Sequence, residues 1–232
     1  MTGTPAVSTV QVKICGVVRP EDALVAAEAG ADAVGLILVP SSPRSVAPDE
    51  ARVVVRAAGA LCCVGVFVNR PPADVARVAD VVGLDIVQLH GQEDPAVCRK
   101  LAAALGPGRV LKAIRFKHRV DYGVLRRYAD EGIPLLVDGP FGGGPLDWCG
   151  LKDWQRRMAV PLVLAGGLNP ENVAEAVRIV APVAVDTARG VEMEGEPRRK
   201  DPQRIRRFVA AAKAAGAPPS GRGAVVFRKV ES

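Results

Sequence analysis

Two residues suited to proton transfer stand at the ends of short apolar runs. Cys15 closes Val12-Lys13-Ile14-Cys15-Gly16, and Asp138 closes Leu135-Leu136-Val137-Asp138-Gly139. A thiol works as a general base once its pKa falls toward neutrality. Lys13 stands two residues before Cys15, so on a strand it points the same way, and its ammonium favours the thiolate. A carboxyl at the end of a buried strand either pairs with a cation or has a raised pKa and donates a proton. If both runs belong to one closed barrel, the two side chains face one mouth. That pairing suits proton transfer on a small anionic substrate. Each residue also has a plain structural reading. Free cysteine is among the most buried residue types, and an aspartate at a strand end often anchors loop amides.

Further candidates follow other strand signals. Arg44 lies in Pro40-Ser41-Ser42-Pro43-Arg44-Ser45. In a loop over the mouth it would grip a carboxylate through two hydrogen bonds; elsewhere it is a surface arginine. In Val87-Gln88-Leu89-His90-Gly91, Gln88 and His90 alternate to one side. Gln88 among apolar neighbours needs a partner, such as a substrate polar group. His90 reads equally as a structural histidine. Lys112 and Arg115 share one run but face opposite sides, so at most one reaches the lumen. Ala165-Gly166-Gly167-Leu168-Asn169-Pro170 and Asp186-Thr187-Ala188-Arg189-Gly190 supply glycines whose amides can approach an anion.

These residues need a frame that brings strand ends together. Short β-branched runs bounded by Gly, Pro or Asp predict buried parallel strands at 12–16, 33–39, 62–68, 86–90, 110–116, 134–138, 161–166 and 183–187. Helical patterns lie between them. Pro20-Glu21-Asp22, Pro48-Asp49-Glu50, Pro71-Pro72-Ala73-Asp74 and Asn169-Pro170-Glu171 carry the proline and acids that suit a helix N-terminus. Gly30 suits the end of the first helix. Strand–helix units repeating every roughly 25 residues predict a single (β/α)8 TIM barrel, whose active sites lie at the C-terminal strand ends. An open doubly wound sheet is the alternative, but Cys15-Gly16-Val17-Val18-Arg19 lacks the glycine fingerprint such a sheet carries after its first strand. In a TIM barrel the loops after strands seven and eight commonly bind phosphate, which makes Gly166, Gly167 and Gly190 a joint signal.

No internal linker appears, so residues 1–216 read as one barrel domain and 217–232 as a C-terminal extension. The extension opens with Pro218-Pro219-Ser220-Gly221 and contains a possible strand, Ala224–Phe227. It is either flexible or packed on the barrel floor.

Bulk properties exclude several classes. At 232 residues and 49% hydrophobic, the chain can bury a large core. No apolar run approaches the roughly 20 residues of a membrane span, and Met1 to Val10 lacks the features of a secretion signal. Five cysteines without metal spacing read as reduced thiols, which predicts a cytoplasmic protein with no metal site. The formal charge of +6 fits an anionic substrate. Arg198, Arg199, Lys200, Arg204, Arg206 and Arg207 read as the solvated face of a terminal helix. With no aromatics interleaved there, nucleic-acid binding is not expected. Oligomeric state is open between monomer and homodimer.

Taken together, several segments resemble the phosphoribosylanthranilate isomerase family of tryptophan biosynthesis. They are Lys13-Ile14-Cys15-Gly16, Glu28 to Gly35, Val64 to Asn69, Val87 to Gly91, Ala165 to Val173 and Gly190-Val191-Glu192, in the family's order over about Val12 to Ala212. The resemblance implies Cys15 as general base and Asp138 as general acid. It implies Arg44 on the anthranilate carboxylate and amides around Gly166, Gly167 and Gly190 on the phosphate. Lys13, Gln88, His90 and Asp186 join the substrate site and Arg189 the phosphate site. The implied reaction is an Amadori rearrangement without metal or organic cofactor, since the protonated imine is itself the electron sink.

Two loops depart from the family pattern. Asp138 to Trp148 is short and lacks the family's basic residue and hydroxyl. Thr187-Ala188-Arg189-Gly190 replaces Val-Ser-Ser-Gly, losing two hydroxyls and gaining a guanidinium. Arg189 either compensates as a phosphate ligand or faces solvent. The alternatives to the isomerase are a diverged paralogue acting on a related N-glycosyl or amino-sugar phosphate, and a catalytically idle phosphate-binding barrel.

Overall fold

The structure is a computed structural model that describes residues 9–116, 121–139, 147–157, 160–216 and 226–230. Eight parallel strands form a closed barrel: β1 (Gln11–Cys15), β2 (Ala33–Ile37), β3 (Cys62–Phe67), β4 (Ile86–Leu89), β5 (Val110–Arg115), β6 (Leu135–Asp138), β7 (Leu162–Leu164) and β8 (Ala184–Thr187). Closure is direct, because β1 pairs with β2 on one side and β8 on the other. Each strand lies within about two residues of its expected position. That scatter is ordinary for element ends.

Helices follow the strands as α1 (Pro20–Glu28), α2 (Pro48–Ala58), α3 (Pro72–Val82), α4 (Pro95–Leu105), α5 (Tyr122–Ala129), α6 (Trp148–Arg157), α7 (Val173–Val180) and α8 (Pro202–Ala214). Proline opens α1, α2, α3, α4 and α8, where its missing N–H has no helical partner to lose. Asp94, Asp121 and Asp201 cap α4, α5 and α8 by accepting first-turn amides.

Strand alternation splits the apolar residues between two cores. Val12, Ile14, Val34, Leu36 and Val137 join the layer between barrel and helices. Ala33, Val64, Ile86, Leu111, Leu136, Val163 and Ala184 fill the barrel interior. The same parity sends Lys13, Cys15, Gln88, His90, Asp138 and Asp186 inward. It also settles the β5 pair. Arg115 shares the parity of Leu111 and Ala113, whereas Lys112 points outward. There Lys112 donates to Glu93 at 2.8 Å and to the Gly91 carbonyl at 2.7 Å, bracing the loop after β4.

The region after β8 corrects the expected terminal helix. A short 3-10 turn (Arg189–Val191) leads into an antiparallel hairpin of β9 (Glu192–Met193) and β10 (Glu196–Lys200), and α8 begins only afterwards. Arg198, Arg199 and Lys200 therefore sit on β10, and Lys200 is buried rather than solvated. Period-2 alternation over so few residues is too short to stand out from a charged helical pattern.

At the other end of the barrel, Val226 and Phe227 are buried with the interior core. The Gln11 side chain accepts the Val226 amide at 2.8 Å and the Phe227 amide at 3.0 Å, and donates to the Phe227 carbonyl at 2.9 Å. Val230 N donates to Asp85 Oδ1 at 2.8 Å. Of the strand expected at 224–227, residues 224 and 225 lie outside the described residues, and 226–230 are irregular. These contacts close the barrel floor.

Candidate active site

A cavity of about 550 Å³ opens at the C-terminal strand ends. It is lined by Cys15, Arg44, Gln88, His90, Arg115, Asp138, Gly166, Gly167, Asp186, Arg189 and Gly190, among others. One expected site residue, Lys13, lies beneath this lining and is fully buried.

The β1–β8 side of the mouth holds the thiol. Lys13 Nζ donates to Asp186 Oδ1 at 2.9 Å across the paired strands. Burial works against the Lys13 charge, but the Asp186 carboxylate outweighs it and pushes its pKa up, so it stays an ammonium. Burial pushes the Cys15 thiol up, with the Lys13 charge opposing. Gly35 makes room for this group. A Cβ there would lie 2.7 Å from Cys15 Sγ and 3.0 Å from Lys13 Nζ.

The β4–β6 side holds the carboxyl. Arg115 Nε donates to Asp138 Oδ2 at 2.7 Å, and His90 Nε2 lies 3.3 Å from the same oxygen. Gln88 Nε2 lies 3.3 Å from His90 Nδ1. Arg115 Nη2 lies 3.2 Å from His90 Nε2, so guanidinium, imidazole and carboxyl form one cluster. Burial raises the Asp138 carboxyl, but the His90 hydrogen bond and the Arg115 charge outweigh it and hold the pKa below the usual value. Of the two states open to this aspartate, the structure takes the cation-paired one. Gln88 Oε1 is buried with no hydrogen-bond partner among the described residues.

Arg44 crosses over Gly16, which has φ +67°, and a side chain on Gly16 would collide with Arg44 Cδ. Its guanidinium meets Glu192 side-on, with Nε donating to Oε1 at 2.5 Å and Nη2 to Oε2 at 2.8 Å. Gly166 (φ +90°) and Gly167 (φ +71°) adopt backbone that L side chains rarely adopt. Gly190 packs against the Leu168 carbonyl and Thr187, where a Cβ would not fit. Arg189 is exposed at the cavity rim. The loop 140–146, where the sequence is shorter than the family pattern, lies outside the described residues.

Spacing did not single out three participants. Arg115 was one of two open choices on β5. Glu192 stood in a matching motif without a role, and Lys200 was placed on a solvated face. Parity with Leu111 would have found Arg115. Nothing local marks the other two.

A closed (β/α)8 barrel with a thiol and a cation-paired carboxyl across one mouth, beside glycine-rich loops after β7 and β8, defines a barrel enzyme built for acid–base work on a small ligand. Comparison with known proteins narrows the class. A family model described as N-(5'-phosphoribosyl)anthranilate (PRA) isomerase matches residues 12–211. The N-(5'-phosphoribosyl)anthranilate isomerase of Citrifermentans bemidjiense is 43% identical over 88% of this chain and 97% of its own length. That of Thermotoga maritima is 41% identical over 88% and 98%. A phosphoribosylanthranilate isomerase crystal structure, in complex with reduced 1-(o-carboxyphenylamino)-1-deoxyribulose 5-phosphate, superposes with a TM-score of 0.78 at 39% identity. It covers 89% of this chain and 100% of the other. Monomers generated from the dimeric Thermotoga maritima isomerase give 0.77 at 39% identity, over 88% of this chain and 99% of that one. The chain belongs to the phosphoribosylanthranilate isomerase family, and its activity is that of an aldose–ketose isomerase of tryptophan biosynthesis. The diverged-paralogue and idle-barrel alternatives are not favoured.

Proposed function

We propose that the Amadori rearrangement of N-(5-phosphoribosyl)anthranilate runs between Asp138 and Cys15. Asp138 protonates the furanose ring oxygen as the C1′–O bond breaks, and the bond pair leaves with that oxygen. The nitrogen lone pair then forms a protonated imine at C1′. Cys15 removes the C2′ proton, and the C–H electrons form the C1′–C2′ double bond while the imine π pair returns to nitrogen. Tautomerisation of this enamine gives 1-(2-carboxyphenylamino)-1-deoxyribulose 5-phosphate. The observation that carries the reading is the placement of Cys15 at the end of β1 and Asp138 at the end of β6 in the lining of one cavity.

The site's electrostatics shape the cycle. Asp138 is held ionised and Cys15 is held as a thiol, the reverse of the working state. His90 supplies the correction on one side. Asp138 takes up a proton before passing it to the ring oxygen, and His90 Nε2, 3.3 Å from Asp138 Oδ2, is the neighbour placed to relay it. On the other side, the imine cation beside Cys15 favours the thiolate that Lys13 already supports. Gln88 Oε1 accepts a sugar hydroxyl. Lys13 and Asp186 fix the wall around Cys15. Arg44 takes the anthranilate carboxylate. Amides at Gly166, Gly167 and Gly190 take the phosphate, with Arg189 as an added cation at the rim.

Residues 1–216 are the catalytic barrel domain and 217–232 an extension, of which 226–230 pack against the barrel floor. The protein is cytoplasmic, as a biosynthetic enzyme with reduced thiols would be; no helix among the described residues is long and apolar enough to cross a membrane. Its partner is a small anionic phosphosugar substrate, and the protein works as a monomer or a homodimer.

The test is loss of anthranilate-type fluorescence on phosphoribosylanthranilate generated in situ, for wild type, Cys15→Ser and Asp138→Asn. Turnover that falls about 10²–10⁴-fold in each variant supports both roles. Turnover retained in either variant would reassign that proton.

A further inference from the structure

Arg44 does not stand alone in the loop after β2. The β9–β10 hairpin holds that loop at two points. Arg198 Nη1 donates to the Ser45 carbonyl at 2.7 Å, and Glu192 holds the Arg44 guanidinium side-on. Glu192 in turn pairs with Lys200, its cross-strand partner in the hairpin register. Lys200 Nζ lies 3.0 Å from Glu192 Oε1 and donates to the Ala188 carbonyl at 3.1 Å. The Lys200 backbone is fixed too, since its amide donates to Asp22 Oδ2 on α1 at 3.1 Å.

Two features of this trio bear on a carboxylate ligand. The first is geometry. A side-on pair uses Nε and one Nη2 hydrogen and fixes the guanidinium plane. Nη1 and the second Nη2 hydrogen make no hydrogen bond to any described residue, and Arg44 lines the cavity. The second is charge. Arg44 and Glu192 alone would sum to zero, and an incoming carboxylate would meet no net attraction. Lys200, whose side chain is 1% exposed, restores a net charge of one positive unit. A lysine so buried is costly unless paired, and its partner is Glu192.

We propose that the β9–β10 hairpin is the carboxylate-specificity element of this isomerase, with Glu192 and Lys200 as positioning residues that hold the Arg44 edge toward the aromatic carboxylate of the substrate. The inference rests on Arg44 being the carboxylate ligand. It goes beyond that reading in assigning selectivity to a hairpin outside the barrel strands. A competing account of the same contacts makes Glu192 a rival of the substrate for Arg44. The two accounts predict opposite signs.

The experiment measures Kd, by calorimetry, for reduced 1-(o-carboxyphenylamino)-1-deoxyribulose 5-phosphate and for its phenylamino counterpart lacking the carboxylate. The ratio of the two constants is the carboxylate discrimination. The variants are Arg44→Ala, Lys200→Met, Arg198→Ala and the double variant Glu192→Gln/Lys200→Met. The double variant keeps the net charge of the trio while removing the ionic clamp. Discrimination is expected to fall about tenfold or more in Lys200→Met and in the double variant, and about threefold in Arg198→Ala, where charge-assisted pairs are lost. Affinity for the counterpart without the carboxylate should change less than about twofold, because a positioning role acts only through the lost carboxylate contact. Wild-type discrimination in the double variant, or tighter binding of the carboxylated ligand, would overturn the hairpin's role. Wild-type discrimination in Arg44→Ala would instead overturn the reading of Arg44. Arg198→Ala alters an exposed contact and no buried charge, so it tests the clamp even if the buried variants fail to fold.

Discussion

The two ends of this barrel are built from the same strands to opposite purposes. At the mouth, inward positions carry Cys15, Gln88, His90, Arg115, Asp138 and Asp186 around an open cavity. At the floor, inward positions carry Ala33, Cys62, Ile86, Leu111 and Ala184, and the chain's own Val226 and Phe227 pack against this apolar interior. Parity is identical at both ends; only side-chain type and depth differ. Polar groups at the mouth are held by one another, through Lys13–Asp186, Arg115–Asp138 and Arg44–Glu192. The floor holds its C-terminal segment through Gln11 and Asp85, with apolar burial around them. Function and stability are thus separated along the barrel axis, as expected when a rigid scaffold carries a site on its loops.

That separation makes the largest prediction a contrast. Cys15→Ser or Asp138→Asn should lower kcat/KM by about 10²–10⁴-fold with little change in Tm, measured by fluorescence assay and calorimetry on the same preparations. A parallel loss of Tm would mean the mouth also holds the fold together.

The reverse holds for Phe227→Ala. It should cost up to about 3 kcal/mol of unfolding free energy, less if the segment simply detaches, since removal of a buried aromatic loses both transfer energy and packing. Its kcat should stay at the wild-type value. A changed kcat would show that the floor communicates with the mouth.

Acid should reveal the paired carboxylates. Glu93 and Glu192 suffer burial that raises their pKa, but Lys112 and the Asn69 amide outweigh it for Glu93, and Arg44 and Lys200 for Glu192. Both folded values therefore lie below the ordinary 4.5. A depressed folded pKa contributes stability that is present above the unfolded value and is lost as pH falls through the folded one. Urea midpoints should be level down to the ordinary glutamate range and then fall. Glu93→Gln should shrink the acid-dependent part of that fall. A profile unchanged by the substitution would place the acid sensitivity elsewhere.

The smallest effect is expected at the rim. Arg189→Ala should raise KM for phosphoribosylanthranilate about threefold and leave kcat alone, the behaviour of uniform binding energy from an exposed charge. An unchanged KM would remove Arg189 from the phosphate site and leave the glycine amides to hold it without help.

Much of this was legible in the residues alone. Eight strand–helix repeats, proline-led helices and period-2 parity fixed the barrel, and parity aimed Lys13, Cys15, Gln88, His90, Asp138 and Asp186 at one lumen. These are local signals, each contained in a few neighbouring residues. The tertiary structure decided what depends on distant partners. Asp138 is ionised because Arg115 from β5 and His90 from the end of β4 reach it. Lys200 is a buried counter-ion because a two-residue strand pairs it with Glu192. Val226 and Phe227 close the floor through a glutamine more than two hundred residues earlier, a separation of 216 for Phe227. Hydrophobic periodicity records which face of an element is buried and is silent on which charge will stand opposite. That pairing exists only once the barrel closes and brings remote strand ends within hydrogen-bonding distance.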